Sequence, residues 1–543
     1  MESKGDVKMM MMMGDDSAGH KKRKLDSVCP TPSPTSKMNS LIRSVIRIEC
    51  DTLEPKYSLP WQMHSPAKGG GTGVLIDGNL ILTNAHIVWK STYITVQHHH
   101  HDVTKYEATI KHIDLERDLA LLVVHDAKIW AGSSVIDVTN ADETPAMPTD
   151  DILAVGYITP ENSPSVTAGV VARVMSHFYS FSGCRLITVM IDAALNGGNS
   201  GGPVFMKNDT QHRFLGLVTE GGSNVGYFIP VSMVKDFVLP ITTSKLSAMV
   251  PFGRLGIQDS LFAENPSTRK YLQLQDDQHG VIVLRIQPLG MAAANDIRVD
   301  DVIMEIDGYP ISDDGTYVFR LPSERLDYSH LFSSKRALQQ QQQPDAKHTA
   351  DDDDAATMII MTWNVLIRRD GQDIKRTLKY TMKLAIQSQY VSIIAGRLTA
   401  PALPEYYMYS GIVFMRCTNM FLTDKYGPTW NGVPVDLLKA KHETYREHKD
   451  DQLVIISHVL GHKQTACYNV LVCTTVKKVN GHSIKNLKHM IQLIEQSKEP
   501  FLRFDLSCFS TMILERATAD ETRDQLMKAH NIPASRSADL LLL

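Results

Sequence analysis

The chain has 543 residues, of which 43% are hydrophobic and 21% charged, and its formal net charge is −4. This length allows several hydrophobic cores, and the composition is that of a globular protein rather than a disordered or fibrous one. The charge balance gives no reason to expect a nucleic-acid partner, and no apolar run reaches the roughly 18 residues that a membrane-spanning helix needs.

Seven cysteines are scattered along the chain and form no Cys-x-x-Cys pair. This pattern argues against a disulfide framework and against a zinc site, so we expect free thiols in a reducing compartment. The run His98–His101 is expected to be a solvated loop, because no second cluster of metal ligands accompanies it. We therefore predict neither a metal site nor a cofactor.

Residues 1–40 have little to bury and are predicted to form a disordered arm. The basic cluster His20–Lys24 within them is typical of nuclear import signals, but a solvated charge run has the same composition. The methionine run Met9–Met13 is too short for a secretory signal, and Asp15 and Asp16 behind it argue against an organelle transit peptide.

Residues 41–245 consist of short apolar runs separated by Gly, Asp and Asn turns. The segment around Asp77-Gly78 is predicted to be a β-hairpin, because Asp-Gly tolerates the positive φ of a tight turn. Many short strands without intervening helices indicate antiparallel barrels or sandwiches. The predicted elements are strands at Gly73–Ile76, Leu80–Thr83, Tyr93–Gln97, Leu119–Val124, Ile152–Tyr157, Val166–Val174, Leu186–Asp192, Phe214–Thr219 and Gly226–Ile229, and a helix at Val231–Val238.

Two smaller units follow, at residues 250–385 and 390–510, and residues 511–543 are expected to form a C-terminal tail. Each unit contains a strand that ends in an Asp-Gly or Asn-Gly turn, at Asp307-Gly308 and Asn480-Gly481. This shared feature indicates diverged copies of one fold.

Two further patterns distinguish these units. The first unit is interrupted by the low-complexity runs Gln339–Gln343 and Asp351–Asp354, which are predicted to form a disordered surface loop. In the second unit, apolar residues spaced at i, i+3, i+4 and i+7 predict an amphipathic helix. These residues are Leu487, Met490, Ile491 and Ile494.

The glycine-rich segment Asn196–Pro203 contains a serine in a setting suited to acyl transfer. This chemistry needs a nucleophilic oxygen, a base that takes its proton, and donors for the tetrahedral oxyanion. Glycines allow a tight turn that directs backbone N–H groups at one point. We therefore predict Ser200 as the nucleophile and an oxyanion hole over Gly198, Asn199 and Ser200, with the N–H groups of Gly198 and Ser200 as the natural donors.

A base and an acid lie upstream of this serine. His86 follows an apolar strand, and Asp118 directly precedes another. Each residue alone is more often structural, but the order His86, Asp118, Ser200 is that of chymotrypsin and differs from that of α/β-hydrolases and subtilisin. Asp114 is the alternative acid. We favour Asp118, because a buried carboxylate beside the apolar strand is well placed to orient His86.

Several segments resemble those of the HtrA/Deg (protease Do-like) serine proteases, and the resemblance covers nearly everything from residue 41 onward. It implies an ATP-independent endopeptidase of mainly β fold. The implied architecture is a chymotrypsin-like double β-barrel domain at 41–245, a PDZ domain at 250–385 and a degenerate PDZ-like domain at 390–510. The segments are Thr83–His86, Asp118–Leu122, Val155–Tyr157, Ser165–Val171, Ile191–Asn196 and Gly226–Pro230.

The resemblance also carries expectations about location and assembly. The second, degenerate PDZ-like unit is similar to the layout of the plant Deg branch associated with the nucleus and nucleolus. It therefore favours the nuclear interpretation of the basic cluster Lys21–Lys24, with the cytoplasm as the alternative. It further implies a homo-oligomer built from trimers or multiples of three.

The resemblance extends to the specificity pocket. In this family the residue five positions before the serine lines the pocket, which is Leu195 here, and Phe228 in the neighbouring strand is also apolar. Such a pocket disfavours Lys and Arg, whose charge would be desolvated without a partner. We expect cleavage after small or medium aliphatic residues of unfolded proteins. Two motifs depart from the family: Gly156-Tyr157-Ile158 replaces Gly-Tyr-Pro, and Asn196-Gly197-Gly198 replaces Asn-Pro-Gly.

PDZ domains bind a peptide C-terminus as an added strand, and backbone N–H groups hold its carboxylate. The segment Gly253–Ile257 resembles the loop that does this, so Leu255, Gly256 and Ile257 are the predicted peptide-binding residues. Ser410–Phe414 is the weaker equivalent in the second unit. An ordinary glycine turn before a strand is the alternative for both. The competing function for the whole chain is a peptide-binding chaperone or scaffold with a latent protease site.

Overall fold

A computed structural model provides the structure of the chain. It describes residues 34–98, 104–158, 163–209, 212–222, 225–242, 252–260, 264–320, 323–335, 359–387, 393–394, 403–427, 429–507 and 510–540. The basic cluster at 20–24 and the low-complexity runs at 339–343 and 351–354 lie outside these ranges. A first helix, α1, spans Pro34–Ile42. Within the described ranges, no helix has the length and apolar character needed to cross a membrane.

Six antiparallel strands close into a first barrel, with a short helix after the third strand. The hairpin predicted around Asp77-Gly78 is confirmed, since its strands pair through Leu75 and Ile81. The elements are β1 Val45–Thr52, β2 Ala67–Ile76, β3 Leu80–Thr83, α2 Ala85–Val88, β4 Ser91–Gln97, β5 Tyr106–Asp114 and β6 Leu119–Val124. Their order around the barrel is β1-β2-β3-β6-β5-β4.

Six further strands close into a second barrel, which confirms the predicted double β-barrel. The strand predicted at Val166–Val174 is longer in the structure because it pairs with one neighbour near its start and with another along its second half. The elements are β7 Asp151–Tyr157, β8 Pro164–Phe178, β9 Arg185–Asp192, β10 Pro203–Met206, β11 Phe214–Gly222, β12 Val225–Pro230 and the helix α3 Val231–Thr242. Their order is β10-β11-β12-β9-β8-β7.

The first PDZ-like unit is a mostly antiparallel sheet with short helices. Its strands are β13 Ile257–Ser260, β14 Val281–Ile286, β15 Val302–Ile306, β16 Tyr309–Pro310, β17 Thr316–Val318, β18 Arg325–Asp327, β19 Ile359–Arg369 and β20 Gln372–Thr381. Its helices are α4 Pro266–Tyr271, α5 Met291–Ala294, α6 Ser329–Ser333 and α7 Met382–Gln387. The main sheet has the order β13-β14-β15-β19-β20, with β16 beside β15.

The second PDZ-like unit contains a three-stranded sheet and a four-stranded sheet. Its strands are β21 Tyr406–Tyr409, β22 Ile412–Arg416, β23 Val454–Val459, β24 Val476–Val479, β25 His482–Ser483, β26 Phe501–Leu506 and β27 Thr511–Glu515. Its helices are α8 Asn419–Tyr426, α9 Val435–Glu443, α10 Leu487–Gln496 and α11 Arg516–Ala529. The helix α10 confirms the predicted amphipathic helix, because its four periodic residues are all buried.

The two PDZ-like units share one local feature. In each, a tight turn between two short strands has positive φ at both central residues. The values are 48° and 85° at Asp307 and Gly308, and 47° and 83° at Asn480 and Gly481. Asp, Asn and Gly tolerate this backbone conformation better than other residues, which explains why the two sequences have the same motif.

The prediction of a C-terminal tail at residues 511–543 is wrong, beginning at residue 511. Residues 511–515 form β27, which pairs with β26 and buries Met512 and Leu514 in the core of the second PDZ-like unit. The helix α11 follows and buries Ala519 and Leu526. The signal in the sequence is weak, because the strand contains only three consecutive apolar residues, Met512–Leu514, and few residues of the helix are apolar.

Trp363 is the largest fully buried side chain of the first PDZ-like unit, and it generates a stability prediction. Its Nε1 donates to the Leu331 carbonyl at 2.9 Å. We expect Trp363→Ala to lower the free energy of unfolding of this unit by about 3–5 kcal/mol, because it leaves a cavity. Urea unfolding measures the effect. Tyr271→Ala, at a side chain that is 73% exposed, is the control; equal losses in both variants would contradict the prediction.

Candidate active site

His86 and Asp118 lie side by side at one end of the first barrel. His86 belongs to α2, which directly follows β3, and Asp118 lies in the turn between β5 and β6. The Nδ1 atom of His86 is 2.7 Å from Oδ2 of Asp118, and the backbone N–H of His86 donates to Oδ1 at 2.8 Å. The carboxylate therefore holds both the ring and the backbone of the histidine.

Asp118 is a buried charge with several partners. It is only 1% exposed, and its φ of 57° lies in the left-handed region, which Asp tolerates better than most residues. Its Oδ2 also accepts a hydrogen bond from Thr219 Oγ1 at 2.9 Å, and its carbonyl accepts one from Asn84 Nδ2 at 3.0 Å. The bonds from His86 and Thr219 to the carboxylate oxygens offset the cost of removing the carboxylate from water.

The pKa of His86 lies above its ordinary value of about 6.5. Burial by itself lowers the pKa, because it disfavours the charged imidazolium. The charge and hydrogen bond of Asp118 act in the opposite direction and outweigh burial, and the charge of Glu220 adds to them. Because Nδ1 bonds to a carboxylate, Nδ1 carries the proton and Nε2 of the neutral ring has a free lone pair. Nε2 has no hydrogen-bond partner among the described residues.

Asp114, the alternative acid, is directed at its own turn rather than at His86. Its Oδ1 accepts the backbone N–H groups of Glu116 and Arg117, and its Oδ2 contacts the Arg117 guanidinium. Burial raises the pKa of Asp114, but the charge and hydrogen bonds of Arg117 outweigh burial and lower it. Asp114 therefore stabilises the turn that contains Asp118.

Ser200 lies in the loop between β9 and β10. Its Oγ donates to the carbonyl of Thr219 at 3.0 Å, and no hydrogen bond joins it to His86 in the described part of the chain. Thr219 therefore contacts both the serine and the aspartate of the predicted set. The sequence does not indicate this role of Thr219, which lies inside β11, because its contact with Asp118 forms only when the two barrels come together.

Several backbone N–H groups of the serine loop have no acceptor among the residues that the structure describes. Those of Gly198 and Ser200, the predicted oxyanion donors, are among them. Asn199, the third residue predicted for the oxyanion hole, has its N–H engaged. The bonds that the loop makes are Asn199 N to Asn196 O at 3.1 Å, Gly201 N to Val218 O at 2.9 Å and Gly202 N to Asn199 O at 2.9 Å.

The loop packs tightly against β2 at Gly201. This residue has a φ of 81°, and a Cβ added to it would lie 2.1 Å from the carbonyl oxygen of Thr72. Only glycine meets both conditions. The glycine after the serine is therefore required by the contact between the two barrels as well as by the turn itself.

Leu195 and Phe228, the residues predicted to line the specificity pocket, are both buried in the second barrel. Leu195 is buried between two paired glycines: a Cβ added at Gly221 would lie 2.8 Å from its Cβ, and one at Gly226 would lie 2.4 Å from its Cδ1. Phe228 is fully buried two residues beyond Gly226, so it shares that face of β12. The side chain of Leu195 therefore fills the space that Gly221 and Gly226 leave.

The loop between β8 and β9 covers His86, which the sequence did not indicate. The ring of Phe181 lies 6.0 Å from that of His86 and 5.4 Å from that of Trp89. The N–H of Ser180 donates to Oε1 of Glu220 at 2.7 Å. The same carboxylate that raises the pKa of His86 therefore also anchors the loop above it.

The predicted peptide-binding residues lie in the first PDZ-like unit. Leu255 is buried, Gly256 has a φ of 76°, and Ile257 begins β13. The N–H groups of Leu255 and Gly256 have no acceptor among the described residues, while the Leu255 carbonyl accepts from Ala292. The preceding Arg254 is directed away from this loop, towards Glu116, with an N–O distance of 2.6 Å.

The sequence predicts neither a metal site nor a disulfide framework. No group of three or more His, Cys, Asp or Glu suited to a metal ion is present in the described part of the chain. His98 bonds to the Arg43 carbonyl at 3.0 Å, and the rest of the histidine run lies outside the described residues. The described cysteines are free, and they are Cys50, Cys184, Cys417, Cys467 and Cys473.

Comparison with protein families identifies two domains. Residues 71–217 match the trypsin-like peptidase domain, which contains the three predicted catalytic residues. Residues 399–539 match the PDZ domain, and this match includes the strand and helix that replace the expected tail.

Individual relatives extend over nearly the whole chain. The chain is 27% identical to protease Do-like 4, mitochondrial, of Arabidopsis thaliana, over 93% of this chain and 87% of that protein. It is 28% identical to protease Do-like 2, chloroplastic, of the same plant, over 92% of this chain and 76% of that protein. The Do-like 15 protein of this plant is 32% identical, over 36% of this chain and 82% of that protein.

Solved structures show a looser likeness. The HtrA-type protease AlgW with decapeptide is 19% identical, with a TM-score of 0.44 over 64% of this chain and 98% of that chain. A likeness at this level does not define the geometry of a site.

The predicted nuclear location, with the cytoplasm as its alternative, is wrong. Five relatives that match over 92–93% of the chain are named mitochondrial or chloroplastic. The prediction depended on a short basic cluster and on the similarity of the domain layout to the nuclear Deg branch, and a solvated charge run has the same composition as such a cluster.

Domain matches, relatives and fold therefore agree with one another. The trypsin-like peptidase and PDZ domains occur in one chain, in the order found by the sequence analysis, and the relatives are Do-like proteases along most of their length. The chain belongs to the HtrA/Deg (protease Do-like) family and is a serine protease.

Proposed function

We propose that the chain is an ATP-independent endopeptidase in which Ser200 is the nucleophile, His86 the general base and Asp118 the residue that orients it. The observation that carries this proposal is the hydrogen bond between His86 Nδ1 and the buried Asp118 carboxylate. Thr219 supports it, because its hydroxyl bonds to Asp118 and its carbonyl to Ser200. The three residues therefore belong to one hydrogen-bonded cluster.

The proposed reaction begins when the Ser200 hydroxyl turns from the Thr219 carbonyl towards His86. Nε2 takes the hydroxyl proton while Oγ forms a bond to the substrate carbonyl carbon, whose oxygen becomes an oxyanion. The unpaired N–H groups of Gly198 and Ser200 are suited to donate hydrogen bonds to that oxyanion. Nε2 then gives its proton to the leaving amine as the C–N bond breaks, and a water molecule releases the acyl group by the same steps.

The proposed substrates are unfolded or regulatory proteins, cleaved after small or medium aliphatic residues. Burial of Leu195 between two glycines supports a shallow apolar pocket. The PDZ-like loop at Leu255–Ile257 is proposed to bind peptide C-termini, which its unpaired N–H groups support. Assembly into trimers or multiples of three is part of the proposal and depends on the family resemblance alone.

A second candidate function is a chaperone or scaffold with a latent protease site. The specific observation in its favour is the Ser200 hydroxyl, which bonds to Thr219 instead of His86. Catalytic hydrogen bonds are often long or misaligned without substrate, so this geometry is compatible with an active enzyme. Turnover separates the two functions.

The first test compares the wild type with Ser200→Ala in casein degradation without ATP. We expect Ser200→Ala to reduce turnover by at least about 10³-fold, because removal of the nucleophile leaves only residual catalysis. Ser457→Ala, which removes a buried hydroxyl from the second PDZ-like unit, is the control and should retain activity. Equal turnover in the wild type and Ser200→Ala would contradict the protease proposal. Binding of unfolded casein without turnover in either would favour the chaperone.

The raised pKa of His86 predicts the acid limb of the pH profile. His86 acts as a base only when neutral, so kcat/KM should fall as pH decreases through a midpoint above about 6.5. Glu220→Gln removes a negative charge that raises this pKa, and the midpoint should move to lower pH. Stopped-time peptide assays from pH 5 to 9 measure the midpoint of the acid limb. Glu107→Gln on β5 is the control and should leave this midpoint unchanged. An unchanged midpoint in Glu220→Gln would exclude the assigned electrostatic effect.

The buried Leu195 predicts the residue preference of the pocket. We expect Leu195→Ala to raise kcat/KM for Phe relative to Val before the cleaved bond by about 10-fold or more, because it enlarges the apolar space. Profiling with a peptide library measures the preference. Leu153→Ala on β7 removes an equally buried leucine and serves as the control. Wild-type cleavage mainly after Lys or Arg would show that the pocket is assigned wrongly.

A further inference from the structure

Thr72 lies on β2 and is fully buried where the first barrel meets the second. Its Oγ1 donates to the carbonyl of Gly198 at 2.7 Å and accepts the N–H of Tyr157, at the end of β7, at 2.8 Å. Its backbone N–H donates to the carbonyl of Ser200 at 2.9 Å. One residue of the first barrel therefore contacts both ends of the Gly198–Ser200 segment and a strand of the second barrel.

These bonds determine the orientation of two peptide planes in the serine loop. A carbonyl and the N–H that follows it lie in one rigid plane. Thr72 holds the carbonyl of the Gly198–Asn199 peptide, whose N–H bonds to Asn196. It also holds the carbonyl of the Ser200–Gly201 peptide, whose N–H bonds to Val218. The unpaired N–H groups of Gly198 and Ser200 directly adjoin these two planes.

The loop has a specific need for such an anchor on its Gly198 side. Two consecutive glycines, Gly197 and Gly198, precede the serine, and glycine has wide conformational freedom. Gly198 has a φ of 99°, which residues with a side chain rarely adopt. In the described part of the chain, the Thr72 hydroxyl is the side-chain group that bonds to Gly198.

We propose that Thr72 is a positioning residue for acyl transfer. Its hydroxyl holds the Gly198 carbonyl, so that the N–H of Gly198 is directed at the oxyanion before substrate arrives. Thr72 acts through Gly198 and does not touch the reacting atoms. The inference rests on the proposed function, because it concerns the transition state of the reaction at Ser200.

The test compares Thr72→Val with Thr72→Ser in the full chain. The valine side chain has nearly the same shape as that of threonine but neither donates nor accepts a hydrogen bond. The backbone hydrogen bond from residue 72 to Ser200 is kept. We expect kcat to fall about 10- to 100-fold with KM within about 2-fold, since loss of a complete oxyanion donor costs about 10²–10³ in kcat. Thr72→Ser keeps the hydroxyl and should retain kcat within about 3-fold.

A peptide aldehyde provides a second readout that general loosening of the fold would not reproduce. Its adduct with Ser200 carries an oxygen at the position of the oxyanion, whereas the matching peptide alcohol forms no adduct. In Thr72→Val, the inhibition constant of the aldehyde should rise in proportion to the fall in kcat, and that of the alcohol should stay unchanged. Thr465→Val, which removes a buried hydroxyl from the second PDZ-like unit, is the control, with thermal unfolding measured for every variant.

Three outcomes would overturn the inference. The first is an unchanged kcat in Thr72→Val, and the second is a rise in KM without a fall in kcat. The third is an equal loss in Thr72→Ser, which would assign the effect to packing instead of the hydroxyl. Each of these leaves Ser200-dependent turnover in the wild type intact. Wild-type turnover that persists in Ser200→Ala is a separate result, which removes the proposed function and this inference together.

Discussion

The buried negative charge of Asp118 is the constraint on which the rest of the site depends. A carboxylate with 1% exposure is stable only if hydrogen bonds replace the water it has lost. The partners of the carboxylate come from two parts of the chain: the ring and backbone N–H of His86 in α2, and the hydroxyl of Thr219 on β11. Satisfying this one charge therefore brings a helix of the first barrel and a strand of the second barrel to the same point.

The serine loop adds a second contact layer between the barrels. Gly201 accommodates the Thr72 carbonyl, and the Thr72 backbone bonds to Ser200. Neither barrel contains the complete proposed site, since His86 and Asp118 belong to the first barrel, and Ser200 and Thr219 to the second. The geometry of the proposed site thus depends on how closely the two barrels approach, and at Gly201, where their backbones meet, only glycine fits.

The sequence predicted those parts of the fold and site that local patterns encode. The Asp77-Gly78 hairpin and the amphipathic helix α10 follow from turn residues and apolar periodicity. The same patterns indicated antiparallel barrels or sandwiches, and the family resemblance narrowed this to the double barrel that the structure has. Thr219 and Phe181 were missed because their roles come from contacts with residues distant in the chain, to which a short motif gives no clue. The expected tail after residue 510 failed for a related reason: β27 is a strand because β26 is available to pair with it.

The position of Arg254 bears on how the enzyme can be divided into working pieces. Its guanidinium lies 2.6 Å from Glu116, and the ring of Phe252 stacks on the Arg117 guanidinium at 3.9 Å. Glu116 and Arg117 directly precede Asp118. A fragment that stops at the end of α3 would expose this segment to water and leave the carboxylate of Glu116 without Arg254. The segment just before Asp118 is therefore stabilised in part by residues that belong to the sequence of the neighbouring unit.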